Sequence, residues 1–131
     1  MDWAEYASSI FALIAMAALL LLQIVVNDVA GIKRRKVPGT AVEESHHDFL
    51  FRSSRTVANT NDVATVFLML VVGNILLSAN PLFVAIAAWS FVAARSAYTL
   101  CYYANWRAIR SISFGVCLLA LSALIIIALV R

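Results

Sequence analysis

A chain of 131 residues has room for one domain. It is 63% hydrophobic and 13% charged, against roughly 45–50% and about 25% in soluble domains, and so short a chain has too much surface for its volume to hide that excess from water. An ordinary soluble globule is excluded and the bilayer is the expected solvent; the net charge of +3 matters less than where the charges sit.

The N-terminus, MDWAEY, is acidic. It lacks the positive region of a signal peptide, so the first apolar run is expected to remain in the mature chain. That run, over 6–27, contains SSIFALIAMAALLLLQIVV, with Gln23 as its one strongly polar residue between Ile10 and Val26. About 20 residues cross the hydrocarbon core as a helix, so this is a first span. The stretch NDVAGIKRRKVPGTAVEESHHD, with Gly31, Pro38, Gly39 and mixed charge, reads as a surface loop over about 28–49. Within it KRRK is a topology signal or an anionic-lipid contact. His46 and His47 diverge by about 100° on a helix and grip no metal together.

The second span, over 50–78, is unusual. FRSSRTVANTND leads straight into VATVFLMLVVGNILL. On a helical wheel Arg52, Arg55, Asn59 and Asp62 fall within an arc of about 80°, which makes a polar stripe. SANP is a tight turn, and Pro81 suits the first turn of a third span over 81–103. There Arg95, Tyr98 and Tyr102 share an arc of about 60°. NWRAIR is a short link to the fourth span, 109–130, where Arg110, Ser111 and Phe114 lie within about 100°. Cys101 and Cys117 sit in apolar surroundings and read as buried small hydrophobes.

Short links imply antiparallel neighbours. The fold expected is therefore all-α: a single four-span integral membrane domain, an antiparallel up-down four-helix bundle. Nine of the ten Lys and Arg residues flank the first and third links, so the positive-inside rule puts both links in the cytoplasm and both termini outside. Three polar stripes then meet in the cytoplasmic half. Ionisable residues at membrane depth are costly and mark a site, and the cationic excess suggests an anionic ligand, since the arginine fork matches carboxylates. Neither a metal nor a nucleic-acid partner is expected.

The pattern Arg52-x-x-Arg55-x-x-x-Asn59-x-x-Asp62, opening an apolar span, resembles the second helix of the MAPEG family, the membrane-associated proteins of eicosanoid and glutathione metabolism. ARSAYTLCYY followed by RAIRS is similar to that family's third- and fourth-helix motifs. The resemblance implies a homotrimer in a bacterial inner membrane or an endomembrane, with glutathione as cosubstrate between protomers. It implies a glutathione transferase or peroxidase acting on lipophilic electrophiles or lipid hydroperoxides. By the same resemblance Arg110 would hold the thiolate beside Ser111. Asn59 and Asp62 would hold polar groups of the tripeptide, Arg52 and Arg55 would support the site, and Arg95, Tyr98, Tyr102 and Arg34 would complete it. The family's pattern often has Glu at Asp62, Arg at Ala58 and Tyr at Phe114. The alternatives are a non-catalytic lipid-binding or scaffold member of the family, or a small multidrug exporter. The exporter reading lacks the acid it needs deep in the first span.

Overall fold

The computed structural model describes residues 2–37 and 39–131. Met1 and the expected loop residue Pro38 lie outside the described residues. A short 3₁₀ turn, Trp3–Tyr6, leads into four helices: α1 (Ala7–Lys33), α2 (Phe49–Leu76), α3 (Pro81–Tyr103) and α4 (Arg107–Val130). All four are long and apolar enough to cross a membrane, and no strand occurs among the described residues. The polar composition from residue 28 suggests loop, yet α1 continues to Lys33. Asn27 explains part of this: its Oδ1 accepts from Ser53 and Ser54 of α2, at 2.9 and 2.8 Å, so the end of α1 is tied to a neighbour as polar residues begin.

Local chemistry sets the helix ends. Asp48 caps α2 by accepting from the Leu50 amide, and Arg34 donates to the same carboxylate oxygen at 2.7 Å. One acid thus starts a helix and closes the loop before it. Asn80 caps α3, accepting from the amides of Leu82 and Phe83, with Pro81 in the first turn. Three helices end alike. Arg35, Ser78 and Asn105 adopt positive φ, and the next amide returns to a carbonyl in the last turn: Lys36 to Gly31, Ala79 to Asn74, Trp106 to Cys101. This is the left-handed cap that satisfies otherwise orphaned carbonyls.

The bundle is held by α3, which packs on α1, α2 and α4. Phe67 of α2 stacks on Phe91 of α3 with ring centres 4.3 Å apart. Buried polar side chains tie helices together: Asn74 donates to the Leu124 carbonyl at 3.0 Å, and Gln23 donates to Thr99 at 2.6 Å. The outward surface carries exposed Phe11, Leu21, Leu68, Met69, Leu119 and Leu129, a burden in water that hydrocarbon removes. At one end of the bundle Tyr6 donates to the Ala79 carbonyl and Trp89 to Ser8. The opposite end gathers the close of α1, the start of α2, the close of α3 and the start of α4, and it holds most of the arginines.

Candidate functional site

At that arginine-rich end a cleft of about 240 Å³ opens between α2, α3 and α4, lined by Asn59, Tyr98, Arg110, Ser111 and Phe114. One residue comes from α2, one from α3 and three from the first turns of α4. Four of the five are residues that the sequence reading singles out as site candidates. Phe114 is the fifth, packed at 6.2 Å between ring centres against Tyr98.

Arg110 sits on aromatic carbon. Its Cζ lies 4.5 Å from the centre of the Tyr102 ring, a cation–π seat that orients the guanidinium without consuming its donors. Its Nη1 is buried with no hydrogen-bond acceptor among the described residues. A buried donor without a partner costs about 1–3 kcal/mol. Placed at the wall of a cleft, it identifies where an anion would be stabilised. Ser111 is exposed next to it, its hydroxyl donating back to the Arg107 carbonyl at 3.2 Å. That uses the hydroxyl's hydrogen and leaves both lone pairs of the oxygen free to accept.

Tyr102 does not line the cleft; it forms the floor beneath Arg110. Its own position is braced from two sides. Tyr98 lies 5.6 Å away between ring centres, and the Tyr102 hydroxyl is 3.5 Å from the Nε2 of His46. His46 also meets Phe51 edge-on at 4.9 Å, and its carbonyl accepts from Arg52 Nη1 at 2.7 Å. The loop before α2 is thereby drawn over the close of α3. No local spacing flags His46, which reads as an ordinary loop histidine in sequence.

The α2 stripe divides. Asn59 lines the cleft. Arg52 is half-buried and spent on the loop carbonyl. Arg55 and Asp62 are exposed, and neither makes a hydrogen bond or ion pair within the described residues. Arg34 is paired with Asp48 at 2.7 Å and is 61% exposed, outside the cleft lining. Arg95 lies behind the cleft wall, fully buried, donating to Asn59 and Thr60 with its Cζ 4.2 Å from the Tyr98 ring centre. Cys101 and Cys117 are free and buried. The cleft thus brings the unpartnered Nη1 of Arg110 beside the Ser111 hydroxyl, between the rings of Tyr98 and Phe114.

A search of curated proteins finds no match to this chain. The model of the MAPEG family matches residues 9–130, a range that takes in all of α2, α3 and α4, α1 from its third residue, and every residue of the cleft. The chain belongs to the MAPEG family.

Proposed function

We propose that the protein is a membrane-bound glutathione transferase or peroxidase, and that the cleft between α2, α3 and α4 is where it activates the thiol. Membership of the MAPEG family ties the chain to glutathione-related or eicosanoid metabolism. The observation that carries the finer reading is the buried, unpartnered Nη1 of Arg110 at the cleft wall. Glutathione, when bound, supplies a thiol whose ionised form attacks an electrophilic carbon or the O–O bond of a hydroperoxide. Arg110 lowers the cost of that ionisation by placing a fixed cation beside the sulfur, in a site where partial exclusion of water strengthens the interaction. Ser111 presents a hydroxyl beside the same position. Asn59 and Tyr98 hold the peptide, and Tyr102 keeps Arg110 in place.

Asp62 supports a wider assembly. Its carboxylate is exposed on α2 directly before an apolar run and has no partner among the described residues, a costly position in hydrocarbon. We assign it to the ammonium of the ligand, with Arg52, Arg55 and Arg34 completing the basic surround across a protomer boundary. The assembly proposed is a homotrimer of antiparallel up-down bundles, with both termini outside and the site in the cytoplasmic half. That polarity follows from the basic residues around the links between α1 and α2 and between α3 and α4. Lipophilic substrates would then arrive from the bilayer and meet a thiol delivered from water.

The test is calorimetric titration of the detergent-purified protein with glutathione and S-hexylglutathione, alongside conjugation of glutathione to an activated aryl halide. Saturable binding with turnover is the expected result. Binding of S-hexylglutathione without turnover would favour a lipid-presenting role, and absence of both would overturn the proposal.

A further inference from the structure

Arg95 carries its charge into the protein interior. The side chain is 0% exposed, and no carboxylate pairs with it; the one salt bridge among the described residues joins Arg34 to Asp48. Its Nη1 donates to Asn59 Oδ1 at 2.9 Å and its Nη2 to Thr60 Oγ1 at 2.8 Å. A guanidinium has donors only, so the amide atom that faces it must be the oxygen. The nitrogen of Asn59 is therefore turned away from Arg95. It donates to no acceptor among the described residues, and Asn59 lines the cleft.

We propose that Arg95 is a positioning residue: by holding Asn59 Oδ1 it presents the amide nitrogen to the cleft as a donor, so that this lip accepts a carboxylate or peptide carbonyl of the ligand. Left alone, an asparagine amide can offer either atom, and half of its orientations would set oxygen against oxygen. Arg95 removes that ambiguity from behind the wall. The same guanidinium lies over the Tyr98 ring, its Cζ 4.2 Å from the ring centre. Neutral acceptors and a ring take the place of a counter-ion around its two Nη atoms, while its Nε has no partner among the described residues. Arg95 thus differs in kind from Arg110, which touches the ligand. The inference rests on the glutathione reading and adds to it the polarity of one subsite.

The decisive variant is Asn59→Asp. It is isosteric and keeps an oxygen against Arg95, so folding is retained. Its second oxygen replaces the nitrogen, and a donor to the ligand becomes a charged acceptor. Titration with glutathione should show a loss of affinity of about ten-fold to a hundred-fold, the range for a hydrogen bond to a charged group. The melting temperature without ligand should not fall. The new carboxylate shares the cleft with Arg110, so KM should rise and at saturating glutathione the pH midpoint of thiolate absorbance should move up. Arg95→Met should weaken glutathione binding in the wild-type background yet add little to Asn59→Ala, since it acts through the amide. Where Arg95→Met fails to fold, Asn59→Asp decides alone. Wild-type affinity in Asn59→Asp overturns the inference, as does an additive loss in the double variant. A wild-type protein that binds no glutathione overturns the functional reading beneath it, a separate and recognisable result.

Discussion

Replacing Arg110 by alanine should separate chemistry from binding. Arg110 makes no side-chain hydrogen bond among the described residues, and its Cζ lies 4.5 Å from the centre of the Tyr102 ring. Folding therefore loses a cation–π contact of about 0.5–2 kcal/mol, which relief of the orphaned Nη1 partly offsets. The thiolate loses more. A charge-assisted hydrogen bond contributes roughly 1.5–3 kcal/mol, and each pKa unit corresponds to about 1.4 kcal/mol. The sign follows from charge: the cation favours the anionic thiolate, so the bound thiol of the wild-type protein titrates below its value in water, and Arg110→Ala moves the midpoint up by about one to two units. At a pH below both midpoints, turnover falls about ten-fold to a hundred-fold. Arg110→Lys should recover part of this, a point charge standing in for a planar fork. The assay is the ultraviolet absorbance of the thiolate across pH at saturating glutathione, with conjugation rates on the same samples. If Arg110→Ala shifts neither the midpoint nor the rate, the orphaned nitrogen does not meet the sulfur and the assignment of the thiolate site is wrong.

Three further outcomes are expected. His46→Ala removes the brace on Tyr102 and should lower turnover about two-fold to ten-fold, the scale of an aromatic contact of about 0.5–1.5 kcal/mol; unchanged kinetics would show that Tyr102 holds Arg110 without help from the loop. Asn74→Ala removes the hydrogen bond from α2 to the Leu124 carbonyl and should destabilise the bundle by about 0.6–1.7 kcal/mol, read from thermal unfolding in detergent against unchanged glutathione affinity. Cross-linking in native membranes should stop at three subunits, and a pattern that ends at two would remove the boundary to which Asp62 is assigned.

Much of the fold is legible because a membrane helix states itself twice, by length and by lack of charge. The four apolar runs appear as four helices, and Pro81 after Asn80 marks the start of α3 in sequence and in structure alike. Helix ends are harder. Asn105 is a residue that tolerates positive φ, but Arg35 and Ser78 adopt it with no such signal. Their conformations come from the carbonyls left over in the last turn, which is a property of the helix and not of the residue. The cleft shows the same division. A helical wheel gives an angle but not a neighbour, so it gathers Arg52, Arg55, Asn59 and Asp62 into one stripe while the packed bundle sends Asn59 to the cleft, Arg52 to a loop carbonyl and the other two outward. His46 lies 56 residues before Tyr102 in the chain, and no periodicity within either segment encodes that meeting.

Arg95 and Arg110 show why residue type and position alone do not assign roles. Both are arginines at the basic end of the bundle, and both lie over tyrosine rings, at 4.2 and 4.5 Å. They differ in what their donors find. Arg95 spends both Nη atoms on two neutral oxygens of α2, keeps an Nε with no partner among the described residues, and is sealed from solvent, so that no ligand reaches it. Arg110 reaches no acceptor, and one of its nitrogens is already buried. The desolvation cost of that nitrogen is present before any ligand arrives, so an anion entering the cleft gains the hydrogen bond without removing the donor from water first. That is the general condition for strong electrostatic stabilisation: the dipoles and charges are set, and little reorganisation remains when charge develops. On the proposed reading the two arginines divide the labour: Arg95 fixes the wall through its two Nη donors, and Arg110 keeps a buried donor at the cleft for the thiolate.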